Sequence, residues 1–135
     1  MKFTDGFWQM RPGMTPHFAA QAYDIESDGQ SLTVFAPTRV IKHRGDTLNT
    51  PMLTVRYSAP LEGVIRVQVT HHKGQKTPQP QFTLSNGRVS PAVELSDSFA
   101  KLTSGGLTVQ VARGEDWEVT FQSGEHKLTR SGLHA

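Results

Sequence analysis

The stretch Thr50–His72 constrains this chain more than any other, because it alternates apolar and polar residues on both sides of one break. Leu53, Val55 and Tyr57 alternate with Thr54, Arg56 and Ser58, and Ile65, Val67 and Val69 then alternate with Arg66, Gln68 and Thr70. A period of two puts one set on each face of a pleated strand, so the segment reads as two strands folded back on each other. Ala59-Pro60-Leu61-Glu62-Gly63 supplies the break, with proline fixing φ and glycine open to positive φ. Nothing in this hairpin is catalytic equipment. It is scaffold.

Further segments have the same character. Gln21–Glu26 carries Tyr23 and Ile25 on one expected face, and Leu32, Val34 and Ala36 alternate with Thr33 and Phe35 until Pro37 closes the run. Between them, Ser27-Asp28-Gly29-Gln30 has the aspartate and glycine of a hairpin loop. Downstream, Ala92–Leu95 and Phe99–Thr103 flank Ser96-Asp97-Ser98; the β reading of the second is preferred to a helical turn starting at Asp97. Leu107, Val109 and Val111 come next, then Arg113-Gly114-Glu115-Asp116, then Trp117, Val119 and Phe121 in phase. Ser123-Gly124-Glu125-His126 turns the chain toward Lys127-Leu128-Thr129. Strand starts recurring at roughly 8–12 residues, with no sustained helical periodicity, predict an all-β, mostly antiparallel β-sandwich with little helix. The 12 glycines and 8 prolines suit so many turns, and 135 residues make one domain, 1–135. Gly74–Asn86, rich in Gln, Pro and Thr, reads as the long loop.

Composition removes several function classes. A net charge of +2 leaves no electrostatic footprint for nucleic acid, and the densest basic run, Arg39 with Lys42-His43-Arg44, is followed at once by Asp46. The chain has no cysteine, which excludes disulfides and thiolate–metal chemistry and permits a reducing compartment. Met1–Trp8 has no apolar stretch of signal-peptide length, and no segment approaches the roughly 20 apolar residues of a membrane span. The expectation is a cytoplasmic protein with neither membrane nor nucleic acid among its partners.

The candidate chemical sites are weak. Glu115 and Asp116 are adjacent carboxylates, whereas glycoside hydrolysis needs two carboxyls roughly 5–10 Å apart across a bond. His71 and His72 point to opposite faces of a strand, so they do not chelate one ion, and His17, His43, His126 and His134 add no ligand spacing. Trp117 keeps phase with Val119 and Phe121 and is expected in the core, while Trp8, near Phe3 and Phe7, is the one candidate carbohydrate-binding platform. Arg113-Gly114-Glu115 is no phosphate loop, and Ser104-Gly105-Gly106 is a turn rather than a nucleophile elbow. No catalytic residue, metal or cofactor is expected.

In order along the chain, a set of short pieces resembles the start of bacterial α-xylosidases of glycoside hydrolase family 31. They are Met1-Lys2-Phe3-Thr4-Asp5-Gly6-Phe7-Trp8 with Arg11-Pro12-Gly13, then Leu48-Asn49-Thr50-Pro51 and Leu53-Thr54-Val55-Arg56. Ser58–Val67 follows, then Ser104-Gly105-Gly106-Leu107-Thr108-Val109, then Val111-Ala112-Arg113-Gly114 with Trp117 and Phe121. The resemblance implies the first part of an N-terminal supersandwich of the galactose-mutarotase-like type. It further implies a following (β/α)8 barrel, absent from these residues, whose two aspartates hydrolyse terminal α-xylosides with retention. On that reading this chain is non-catalytic. It supports the barrel, borders the substrate entrance through Gly74–Asn86 and contributes to homo-oligomer contacts, while the whole protein acts on α-xylosylated oligosaccharides.

A sandwich lacking part of a sheet exposes an edge and a strip of inner face, each large aliphatic side chain left in water forfeiting roughly 1.5–3 kcal/mol. The chain on its own is therefore expected either to self-associate through such a strip or to be marginally stable. Two alternatives belong to other classes: a stand-alone carbohydrate-binding module, which requires aromatic rings such as Trp8 on one surface, and a small β-domain for protein–protein interaction.

Overall fold

The computed structural model describes residues 13–72, 74 and 89–132. Nine strands follow one another: β1 Asp24–Ser27, β2 Ser31–Pro37, β3 Met52–Leu61, β4 Val64–Thr70, β5 Ala92–Leu95, β6 Phe99–Ser104, β7 Leu107–Ala112, β8 Val119–Ser123 and β9 His126–Ser131. The first four form one sheet and the last five a second, each in sequence order and antiparallel throughout. The expected all-β sandwich is thus observed as two meanders laid face to face, with β2 and β3 against β6 and β4 against β7.

Alternation fixes what lies between them. In the first sheet Val34 pairs with Val55 and Val55 with Val69, while Leu32 pairs with Tyr57 and Tyr57 with Val67. In the second, Leu102, Val109 and Phe121 form one cross-strand row and Ala100, Val111 and Val119 another. Leu32, Val34, Ala36, Ala100, Leu102, Val109 and Val111 are wholly withdrawn from solvent, with Tyr57 and Trp117 buried beside them. Sealing each larger apolar side chain contributes about 1.5–3 kcal/mol, which is what holds the layers together.

Three local features depart from the sequence expectation. Tyr23 and Ile25 do not share a face. The Tyr23 N–H donates to the Phe35 carbonyl although Asp24 is the residue in register with Phe35, and Asp24 Oδ1 accepts from the Ile25 N–H. This irregularity turns Ala22 and Ile25 inward and leaves Tyr23 on the surface. The β3–β4 connection is also tighter than expected. Leu61 pairs directly with Val64 across Glu62-Gly63, and the register shifts between Ser58 and Leu61. Pro60 has no N–H to give a regular ladder, so the irregularity falls inside the strand rather than in the turn.

The third departure is a one-turn 3-10 helix, Arg44–Thr47, in the β2–β3 connection. His43 Nδ1 accepts from the Gly45 N–H, and the Asp46 carboxylate accepts from the Lys42 and His43 N–H groups. Arg39 donates to the carbonyls of Asp46 and Leu48. The basic run therefore holds its own loop in shape.

The two sheets are pinned at one end by their turns. Ser104, buried at the end of β6, donates its hydroxyl to the Leu61 carbonyl at 3.1 Å and accepts the Gly63 N–H at 3.2 Å. Gly105 follows at φ +58°, and a Cβ there would sit 3.1 Å from Glu62 Cγ and 3.3 Å from the Gly63 nitrogen. Only glycine allows both the left-handed backbone and the close approach of the opposite turn. Ser104→Ala removes both hydrogen bonds and should cost about 1 kcal/mol, a few degrees in Tm. An unchanged melting temperature would show that the turns are merely adjacent.

Burial also pushes the Tyr57 phenol well above the ordinary tyrosine range. The raised value in the folded state means that its contribution is constant below the unfolded pKa of about 10 and is lost above it. From there the unfolded chain ionises and the native chain does not, and stability falls by about 1.4 kcal/mol per pH unit from this group. Denaturant unfolding between pH 9 and 12 should therefore show a steeper alkaline loss in the wild type than in Tyr57→Phe. Identical profiles would remove Tyr57 as the cause.

Candidate functional site

The residues that β2, β3 and β4 turn away from the core form a polar surface. Thr33, Arg56 and Gln68 make one cross-strand row, and Phe35, Thr54 and Thr70 make the next. Together with Asp28, the polar members of these rows enclose a groove of about 400 Å³. Its centre is Arg56. Nε of Arg56 donates to Ser31 Oγ at 3.2 Å, and one terminal nitrogen lies 3.4 Å from Asp28 Oδ2.

Asp28 is held in its turn by the β1–β2 loop. Its carboxylate accepts the N–H groups of Gln30 at 2.9 Å and Ser31 at 2.6 Å, and the Ser31 hydroxyl at 2.9 Å. The Gln30 N–H, then the Ser31 hydroxyl, hold the Asp28 carboxyl below its usual range, and Arg56 adds a smaller push in the same direction. Asp28 is therefore an ionised anchor rather than a proton donor near neutral pH. Among the described residues, the hydroxyls of Thr33, Thr54 and Thr70 and the Gln68 amide have no hydrogen-bond partner. The groove thus presents hydrogen-bonding side chains around one ion pair.

A second concavity, of about 340 Å³, opens at the edge between the sheets. It is apolar, lined by Phe18, Leu53, Tyr57, Val67, Val69 and Trp117 among others. Val67 and Val69 do lie on the inner face, opposite Tyr57 and Val55, as alternation requires. They are nevertheless 44% and 62% exposed, because among the described residues β4 is the end strand of its sheet and the second sheet leaves it uncovered there. The exposed inner strip expected from the sequence is present.

The sequence candidates are scattered. Glu115 and Asp116 lie side by side in the exposed loop between β7 and β8, where the Glu115 carboxylate is 4.0 Å from Lys42 Nζ. His71 and His72 follow β4; His17 approaches His71, ring centres 5.2 Å apart, yet among the described residues no three His, Asp or Glu side chains converge on a metal position. Trp117 is buried, with its indole N–H 3.4 Å from Ser131 Oγ, so it is a core residue and not a sugar platform. The Arg113 guanidinium turns back toward the Ile25 carbonyl at 3.4 Å. Trp8 and, apart from Gly74, the segment Gly74–Asn86 lie outside the described residues.

Sequence reasoning missed the Asp28–Arg56 groove. Alternation placed Thr54, Arg56, Gln68 and Thr70 on one face, but Asp28 and Thr33 join them only through a register set more than twenty residues away in the chain. No helix among the described residues is long and apolar enough to cross a membrane.

No family model matches the chain. Among curated proteins, it is 34% identical over 131 residues to the α-xylosidase XylQ of Lactiplantibacillus pentosus, a match covering 97% of this chain and 17% of that protein. It is 31% identical over 113 residues to an α-xylosidase of Emericella nidulans, covering 82% of this chain and 14% of the relative. The chain thus spans less than one-fifth of the length of either relative. Across nearly its whole length the chain matches the N-terminal region of the glycoside hydrolase family 31 α-xylosidases.

Proposed function

We propose that this chain is a non-catalytic N-terminal part, of the galactose-mutarotase-like type, of a glycoside hydrolase that removes terminal α-xylosyl groups from oligosaccharides. The observation that carries this reading is the 131-residue match to an α-xylosidase of which it covers only 17%. The geometry agrees with it. The carboxylates of Glu115 and Asp116 stand in an exposed loop, and the one carboxylate in the polar groove accepts from the Gln30 and Ser31 N–H groups and the Ser31 hydroxyl, with Arg56 beside it. Its role is to carry the catalytic barrel supplied by the rest of that protein and to take part in subunit contacts of a cytoplasmic homo-oligomer. The chain also borders the substrate entrance of that protein. The apolar strip of Val67 and Val69 is the surface that the remaining protein covers.

The direct test is hydrolysis of an aryl α-xyloside by the 135-residue chain and by the polypeptide that joins it to the sequence following it in the gene. Turnover is expected from the longer polypeptide only. Activity in the 135-residue chain would end the non-catalytic reading, and a longer polypeptide inert on α-xylosides would end the α-xylosidase one.

The strip carries its own prediction. Replacing two exposed valines by threonine keeps their shape and β-propensity while making the surface polar. Val67→Thr/Val69→Thr should shift the isolated chain toward monomer in sedimentation velocity with Tm little changed. A wild-type chain that is already monomeric at several hundred micromolar would refute the assignment of the strip.

A further inference from the structure

We propose that the groove on the outer face of the first sheet, centred on Arg56, binds a neutral saccharide. The choice of a saccharide over other neutral polar ligands rests on the glycosidase reading above. The demand for a neutral, hydroxyl-rich ligand comes from the groove alone.

Charge comes first. Arg56 is paired with Asp28, so an anion entering the groove meets a carboxylate held ionised by two backbone N–H groups, and a cation meets the guanidinium. Each is repelled by one of the pair, whereas a neutral ligand suffers neither penalty. Hydrogen-bonding capacity comes second. A guanidinium presents five N–H groups in a planar fork, of which Ser31 and Asp28 engage only part. The remaining fork, the Gln68 amide and the Thr33, Thr54 and Thr70 hydroxyls give donors and acceptors in a ring around the groove. Vicinal hydroxyls of a pyranose, each both donor and acceptor, match that mixed set, and the threonine methyls suit its C–H faces.

Rigidity comes third. Thr33, Thr54 and Arg56 stand on β2 and β3, the two central strands of the sheet, and Arg56 is already tied down at two points. A side chain ordered before binding loses less entropy on binding. A volume of about 400 Å³ is within the range of small-molecule sites and accepts one or two sugar rings.

The test is a heteronuclear NMR titration of the 135-residue chain with a disaccharide of xylose α-linked to glucose, with a gluco-oligosaccharide and sodium sulfate as further probes. Saturable shifts are expected at Arg56 Nε–H and the Gln68 amide, with sulfate giving none that saturates. Arg56→Ala should weaken binding at least about tenfold, the loss expected for charge-assisted hydrogen bonds. Gln68→Ala, on an exposed edge strand, should weaken it about threefold to tenfold while leaving the rest of the spectrum in place, which guards against a folding defect in the arginine variant. Three results overturn the proposal: no shifts from any saccharide, shifts confined to residues away from the groove, or unchanged affinity in Gln68→Ala. Saturable sulfate binding at Arg56 without saccharide binding would overturn it too, and make the groove an anion site. If the gluco-oligosaccharide binds the groove and the xylosylated disaccharide does not, the saccharide site stands and the α-xyloside reading behind it falls.

Discussion

Neither sheet of this protein can bury its own apolar face, and everything else in the structure follows from the two faces burying each other. A meander of four strands offers Leu32, Val34, Leu53, Val55 and Tyr57; a meander of five offers Ala100, Leu102, Val109, Val111 and Val119. Within each sheet the hydrogen bonds join only sequence neighbours. Cohesion between the sheets therefore depends on non-directional apolar burial, and such burial by itself does not choose how one layer slides on the other. The choice is made where directional groups cross the gap. Ser104 ties the β3–β4 turn to the end of β6 from both sides, and the Arg113 guanidinium reaches back to the Ile25 carbonyl near the opposite edge.

The same register that packs the core creates the polar groove. Because successive residues of a strand alternate faces, seating Val34, Val55 and Val69 inward forces Thr33, Arg56 and Gln68 outward as one row. A slip of one residue between β2 and β3 would bury Arg56 and expose Tyr57, at a cost far above any gain on the outside. The arrangement of Asp28, Ser31 and Arg56 is thus inherited from the core. The backbone of a surface built this way is stiff, because moving it means moving the hydrophobic layer beneath.

The sequence made the core legible and the surface much less so. Strand character read along the chain located β2, β4, β5, β6 and β7 to within a residue, because burial on one face of a strand leaves a local imprint in composition. It put Trp117 in the core for the same reason. It erred at Tyr23, where a backbone irregularity fed by the Asp24 side chain reverses the phase, and at Pro60, where a missing N–H moved the break into the strand. These are single-residue hydrogen-bonding events that leave no periodic trace. The Arg39–Arg44 run was legible as charge but not as a capped 3-10 turn, since the deciding partner, Asp46, acts through its side chain on backbone N–H groups. The groove was beyond reach because its two halves meet only after the strands have paired.

Edge strand β4 links the fold to its context. An edge with alternating valines is a liability for a protein that stands alone, since it offers both unpaired backbone groups and apolar area to any neighbour. Folds that stand alone blunt such edges with charges or prolines, and here Arg66 and Gln68 are turned to the outer face while Val67 and Val69 stay on the inner one. On the function proposed above, the rest of the glycosidase covers that inner face. Relatives several times longer than this chain have the material to supply that cover. The polar groove lies on the other face of the same sheet, so covering the strip leaves Arg56 and Gln68 open to solvent. On the two proposals above, one sheet serves two purposes at once: attachment through its inner edge and recognition through its outer face.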